Sequence, residues 1–500
     1  MGKGKVIFIK NAMLLTVTSL ILRLVGMVFR VWLASAIGAE GMGLYQQIFS
    51  VYAFVSVFAS SGVGLAVTRL ISEELTLGSR RGVDMIIARS IFASLAVAVI
   101  SGVAVLLSAE PISVYIMSDK RAISSLKIMT ASLPFMGVSA VLKGYFFARK
   151  KAFANSSSQL IEQAVRIGFI LSLLGGSGAS VENGCAYVLF SDAVAELSSC
   201  LYLLVLYALD RKKLASLSGR ERPPYRIFPT LARIVGPIAG GRYLNSFLRT
   251  VENILVPANL VKSGLTRDAA LSGFGMIKGM ALPLLLFPAG LLSSVTSLLI
   301  PEMSEAAAAG HKGRIRYAAE KSLSITFVAA IPFAVGFFFA AEPLSRLIYS
   351  EAGVGDMVRA LAPLVPLMYV DSVSDALLKA LDKQMATFSH AILDSLGRIA
   401  AILAFLHLFG MTGFIAIMYA SNLFTSLLNL FKLIRVTGAK LKPVKQIILP
   451  LMAAVIGALL ADSVSGFFGG SGLVYIILVF VGISVIYLPL IPMYDCLPQR

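Results

Sequence analysis

Charge is scarce in this 500-residue chain. Asp, Glu, Lys and Arg make up 14% of it, against roughly 25% in a soluble domain. That excludes a soluble enzyme and a disordered chain. Cysteine is scarcer still: Cys185, Cys200 and Cys496 stand apart, in or beside apolar runs. They form no CxxC and no evident pair, so no disulfide framework and no metal site is expected. Histidine is limited to His311, His390 and His407. His390 and His407 read as packed or interfacial side chains rather than proton shuttles. The phosphate-binding pattern GxxxxGK[ST] is absent, which argues against ATP hydrolysis within the chain. Energy for any work must then come from an ion gradient, the membrane potential or downstream consumption. No connection between apolar runs is long enough for a catalytic domain, so the chain is not expected to be an enzyme.

What the sequence does have is apolar surface. Hydrophobic residues make up 57%, and the mean hydropathy is +0.85. A membrane helix needs about 20 apolar residues. The hydropathy predicts about 14 spans, near 11–37, 44–70, 83–108, 123–147, 155–176, 184–209, 230–257, 270–299, 316–341, 358–380, 386–409, 412–433, 447–464 and 471–494. The basic flank before residue 11 resembles that of a signal peptide. The apolar stretch behind it is too long and contains Arg23 and Arg30, so it reads as the first membrane helix. Turns are expected at 38–43, 175–184 and 466–472. The longest polar connection, 210–229, contains Pro223 and Pro224 and reads as a cytoplasmic linker between two halves. The expected organisation is an N-terminal lobe over 1–209, the linker over 210–229, a C-terminal lobe over 230–437, and two further helices within 438–500.

The formal charge of +18 comes from basic clusters between spans, such as Arg149-Lys150-Lys151, Arg211-Lys212-Lys213 and 440–445. No nucleic-acid module accompanies them. They fall in alternate loops, the pattern left by cytoplasmic retention of positive charge. The expected location is a bacterial cytoplasmic membrane with both termini cytoplasmic.

The two halves repeat. Glu110-Pro111 is echoed by Glu342-Pro343, 232 residues later, and the same offset relates Ser113 to Ser345, Pro134 to Pro366, Arg166 to Arg398 and Gly78 to Gly310. Such an offset spans six helices, an even number, so the copies should be parallel repeats about an axis along the membrane normal. The fold class expected is therefore all-α and polytopic: two six-helix lobes plus two C-terminal helices, able to rock about a site between the lobes.

Charges inside spans are expensive, so they should face a cavity or a partner. Arg23 and Arg30 stand two turns apart on one helix face, with no acid one turn away on that helix. Guanidinium forks match phosphate oxygens; snorkelling or pairing with other helices would also account for them. Arg242 and Arg249 repeat the spacing, and Glu252 is placed to pair with Arg249. Lys278 is nearly alone in its span and reads as a cavity cation. Arg23, Arg30 and Lys278 are expected to line one central cavity, with Arg242 and Arg249 as further substrate-binding candidates. Glu162 with Arg166, and Asp394 with Arg398, have i, i+4 spacing at matching repeat positions. They read as ion pairs within each lobe or as coupling residues. Glu162, Asp192, Glu196, Asp371 and Asp375 are all candidates for proton relay, and the residues leave open whether Na+ or H+ is used. No other cofactor is expected.

The run Leu142-Lys143-Gly144-Tyr145-Phe146-Phe147, followed by Glu162-Gln163-Ala164-Val165-Arg166, resembles the stage V sporulation protein B family. So do Gly41-Met42-Gly43-Leu44-Tyr45-Gln46, Gly62-Val63-Gly64-Leu65-Ala66-Val67 and Pro301-Glu302-Met303-Ser304-Glu305. That family belongs to the multidrug, oligosaccharidyl-lipid and polysaccharide exporter superfamily. The resemblance implies a fourteen-helix, MATE-like fold that opens alternately to each side and flips polyprenyl-linked sugars such as peptidoglycan or polysaccharide precursors. The related lipid II flippase has Arg-x-x-Gly in its first helix, matched by Arg23-Leu24-Val25-Gly26. Its cavity Arg in helix 8 corresponds to Lys278, and its second-helix Arg falls near Ser56, which is uncharged. A lipid-linked sugar and the bilayer are the implied partners, with envelope-synthesis enzymes beside them and a monomeric chain. The competing readings are a cation-coupled multidrug exporter of the same superfamily and a non-transporting organiser of envelope assembly.

Overall fold

The computed structural model describes residues 3–60, 62–175, 180–213, 227–349, 351, 353–468 and 472–491. Every regular element among them is helical. In hydrocarbon each backbone N–H and C=O must be satisfied within its own segment, and long apolar runs therefore coil. The helices are α1 (Lys3–Ser60), α2 (Val63–Leu77), α3 (Arg80–Pro111), α4 (Ala122–Met129), α5 (Leu133–Ala148), α6 (Ala152–Leu174), α7 (Val181–Lys213), α8 (Ile227–Lys262) and α9 (Arg267–Gly275). They continue as α10 (Leu282–Ala308), α11 (Lys312–Phe339), α12 (Ala341–Tyr349), α13 (Val354–Leu361), α14 (Val365–Ala380), α15 (Gln384–Ala401), α16 (His407–Thr437), α17 (Leu449–Phe468) and α18 (Leu473–Leu490).

Among the described residues, ten helical stretches are long and apolar enough to cross a membrane. Two of them, Met13–Leu77 with 65 residues and Gln384–Thr437 with 54, are each more than twice the necessary length of about 20. Each is broken by glycine with non-helical backbone: Gly38 at φ 69°, ψ 178° and Gly62 at φ 77°, ψ −23° in the first, and Gly410 at φ 56°, ψ −134° in the second. Only glycine adopts such angles without a Cβ clash. The turn expected over 38–43 thus contracts to Gly38, and the helix resumes at Ala39. The linker expected over 210–229 also shrinks, because α7 runs on to Lys213 and α8 starts at Ile227; residues 214–226 lie outside the described residues. So do 176–179 and 469–471, the centres of two expected turns.

Element boundaries repeat with the sequence offset of 232. The starts of α3, α4, α5 and α6 (Arg80, Ala122, Leu133, Ala152) correspond to those of α11, α13, α14 and α15 (Lys312, Val354, Val365, Gln384). The short 3-10 turns before α5 and α14, Thr130–Ser132 and Ala362–Leu364, keep the same register. Helix ends repeat as well. Ser79 N–H donates to Glu74 O at 3.1 Å, and His311 N–H to Ala306 O at 2.9 Å, each closing a helix through a left-handed glycine, Gly78 or Gly310.

The chain forms two compact units. One is Met1–Phe29 with Leu44–Ile254; the other is Arg30–Gly43 with Leu255–Arg500. In the first, Val67, Ile71, Ile87, Leu142 and Tyr145 form a buried core from α2, α3 and α5. In the second, Leu323, Phe327, Ile331, Leu377 and Leu378 do so from α11 and α14, joined by Ala454 and Ala458 of α17 and Val479 and Ile483 of α18. The 39–43 part of α1 lies backbone to backbone on α9. A Cβ on Gly275 would stand 2.0 Å from Ala39 O, and one on Gly43 would stand 2.0 Å from Leu271 O. Small residues allow this approach, the usual device for packing helices in lipid.

Candidate functional site

The cations expected at a substrate site divide between the units. Arg23, an exposed side chain of α1, belongs to the first; Arg30 and Lys278 belong to the second. Lys278 is half-buried in a π-helical turn, Met276–Ala281, between α9 and α10. An extra residue in a helical turn re-aims side chains, and such turns recur at functional sites. Tyr349 ties this turn to α12 by donating its hydroxyl to Met280 O at 3.0 Å. Arg30 acts electrostatically on the same Tyr349, and a Cβ on Gly279 would touch Met42 at 3.0 Å. The 30–43 segment and the Lys278 turn are therefore parts of one packed assembly.

Arg242 and Arg249 are exposed on α8, in the first unit. Glu252 is the partner expected for Arg249. Arg249 Nε donates to Asn245 Oδ1 at 3.3 Å, one turn back, whereas Glu252 is turned inward and only 2% exposed.

Each unit has an ion cluster at the matching repeat positions, with different third partners. In the first, Arg166 Nη2 donates to Glu162 Oε1 at 3.0 Å and Nη1 to Gln163 Oε1 at 2.8 Å. Its Nε donates to Asp192, on α7, and Lys143 Nζ lies 3.8 Å from Glu162 Oε2. In the second, Arg398 pairs with Asp394, and Ser421 Oγ of α16 donates to Asp394 Oδ1 at 2.6 Å. Nearby, His390 Nδ1 donates to Asn429 Oδ1 at 2.8 Å, and Asn429 Nδ2 donates to Asp371 Oδ1 at 2.8 Å. Asp192 and Ser421 have no spacing relation to the residues they bond; only packing of α7 on α6, and of α16 on α15, brings them in.

In the second unit α15 and α16 enclose a groove of about 830 Å³. Gly397, Ala401, Gly413, Ala416 and Ala420 give it room, and Phe405, Phe409 and Phe424 wall it. Asp394, Arg398 and Ser421 are its polar end. Among the described residues no group of three or more His, Cys, Asp or Glu could hold a metal ion.

A family described as "Polysaccharide biosynthesis protein" matches residues 8–307, and one described as "Lipid II flippase MurJ" matches residues 273–356. The chain is 25% identical over 402 residues to stage V sporulation protein B of Bacillus subtilis (strain 168), covering 79% of this chain and 76% of the relative. Its fold is similar to a solved inward closed lipid II flippase MurJ, with a TM-score of 0.68, 17% identity, and coverage of 96% of this chain and 100% of that one. It is also similar to an inward-facing multidrug resistance MATE family transporter of the MOP superfamily, with a TM-score of 0.65, 15% identity, and coverage of 85% and 98%. The chain is a multi-pass, all-helical membrane protein of this fold.

Proposed function

We propose that this chain, which belongs to the polysaccharide biosynthesis protein family, flips a polyprenyl-diphosphate-linked oligosaccharide, a peptidoglycan or cell-envelope polysaccharide precursor, across the bacterial cytoplasmic membrane by alternating access. The observation that carries this reading is the placement of Arg30 and Lys278. Two cations within membrane-spanning segments are packed into one unit around a π-helical turn. Charges inside membrane spans are costly and usually mark a functional site, and a guanidinium and an ammonium there match the phosphate oxygens of a lipid diphosphate. Arg23, Arg242 and Arg249 supply the corresponding cations of the first unit. The apolar groove between α15 and α16 is suited to a hydrocarbon chain, with Arg398 at its polar end.

On this reading the helices make 14 crossings. The two double-length stretches count twice, and α6 and α8 each add one to the apolar stretches. The lobes are parallel repeats, both termini are cytoplasmic, and the chain acts as a monomer beside envelope-synthesis enzymes without a catalytic step of its own.

The test is a flipping assay in proteoliposomes with several lipid-linked sugars and a cationic dye. Movement of at least one lipid-linked sugar, with the dye left behind, is expected. Movement of the dye alone would replace this reading with a multidrug exporter, the function named for one fold neighbour.

A further inference from the structure

Among the described residues, the charges gathered around Arg166 do not balance. Glu162, Asp192 and Glu196 lie within electrostatic reach of one another and of two cations, Lys143 and Arg166. Each guanidinium nitrogen of Arg166 is engaged, by Glu162, Gln163 or Asp192. Lys143 reaches Glu162, at 3.8 Å. Glu196 is left over. It is 7% exposed, inside the membrane-spanning Val181–Lys212 stretch, and among the described residues it makes no hydrogen bond and no ion pair.

The other groups around it do not supply a counter-charge. On α1, Tyr45 acts electrostatically on Arg166. Tyr52 accepts from Ser132 Oγ at 3.0 Å and turns its own hydroxyl to Met136 Sδ at 3.2 Å. The charged residue of α4, Lys127, is exposed. Cys200, one turn along α7, is buried. The turn Thr130–Ser132 has no titratable side chain.

We propose that Glu196 is a proton-binding site and that its proton is exchanged during the transport cycle; the second half of this statement rests on the flippase reading above. An isolated buried carboxylate is strongly disfavoured. A metal cation would need several oxygen ligands, and no metal-competent cluster exists among the described residues. A proton needs one oxygen. Glu196 takes it from water on one side of the membrane and returns it to water on the other, and no bond other than O–H forms or breaks. Without the proton, Glu196 competes with Glu162 for Lys143, whose present contact is long. Proton release thereby pulls α5, α6 and α7 toward a different arrangement of ion pairs.

Two measurements separate the proton site from the transport reading. The first is infrared pH titration of the purified full chain. Wild type should show a titrating carboxylic-acid C=O stretch that is missing in Glu196→Gln and shifted in Glu196→Asp. The second is flipping under an imposed pH gradient, which should accelerate the wild type and leave Glu196→Gln at its gradient-free rate. An unchanged band in Glu196→Gln, or an unchanged gradient response, overturns the proposal. If Glu196→Gln does not fold, Glu196→Asp decides: an unshifted band overturns it. A wild type that flips no lipid-linked sugar would sink the flippase reading, while the infrared band would still decide whether Glu196 binds a proton.

Discussion

Lys150 and Asp382 hold the same left-handed backbone, φ 56° and 57°, and stand 232 residues apart. Each ends a helix, α5 or α14, in the same way. Lys150 N–H donates to Phe147 O at 3.0 Å and Lys151 N–H to Phe146 O at 2.9 Å. Asp382 N–H donates to Lys379 O at 3.1 Å and Lys383 N–H to Leu378 O at 2.9 Å. Glycine is the usual residue at this place. Both side chains are exposed. The duplicated structure thus carries a duplicated local cost.

Glycine should relieve it. A left-handed L-residue costs roughly 1–2 kcal/mol, and glycine returns about 0.5–1 kcal/mol of that as chain entropy. Lys150→Gly and Asp382→Gly should each raise the melting temperature of the detergent-purified protein, by a net of about 0.5–1 kcal/mol in stability. A lower melting temperature for both would show that the side chains contribute more than their exposure suggests.

The two ion clusters should respond differently to loss of arginine. Arg166→Gln strands Asp192, while Glu162 keeps only its long contact with Lys143, and breaking a buried pair costs about 3–5 kcal/mol. Adding Glu162→Gln still leaves Asp192 stranded, so rescue should be small. Arg398→Gln strands Asp394 alone, and Ser421 still donates to it. Adding Asp394→Asn should restore most of the melting temperature. Equal rescue in the two units would contradict the three-member cluster.

At the proposed phosphate site, Arg30→Ala should slow flipping by one to two decades while leaving expression and melting temperature largely unchanged. Charge-assisted hydrogen bonds are worth about 1.5–3 kcal/mol. Arg30→Lys should recover only part, because the planar fork is lost. Lys278→Ala should match Arg30→Ala in size. Wild-type rates in the double variant would refute the assignment.

Ala416 and Ala420 open into the groove between α15 and α16. Ala416→Trp with Ala420→Trp should fill it without entering a packed core, as both positions are exposed. Flipping of a long-chain polyprenyl substrate should fall more than flipping of a short-chain analogue. An equal effect on both would argue that the groove does not receive the chain.

Orientation can be tested at two exposed turns, with native cysteines removed. A cysteine at Lys150 should escape a membrane-impermeant thiol reagent applied to intact cells. One near Gly264, between α8 and α9, should react. The reverse pattern would invert the topology inferred from loop charge.

The sequence by itself determined that the chain lives in a membrane, that it is helical, and that a pattern of residues recurs 232 positions apart, an offset at which element boundaries recur as well. It also determined the Glu162–Arg166 and Asp394–Arg398 pairs, because i, i+4 neighbours meet on any α-helix. These properties follow from composition and from the local period of the helix. Tertiary structure decided the rest. It drew Asp192 onto Arg166, left Glu196 without a hydrogen bond or ion pair among the described residues, buried Glu252, placed Lys278 in a π-helical turn, put Arg30–Gly43 of α1 into the second unit, and packed α17 and α18 into that unit's core. In lipid a helix is apolar on nearly every face, so hydropathy does not distinguish the face that meets another helix from the face that meets hydrocarbon. That choice is made by small residues that let backbones approach, as Gly43 and Gly275 do, and by buried charges that must find one another across helices far apart in the chain.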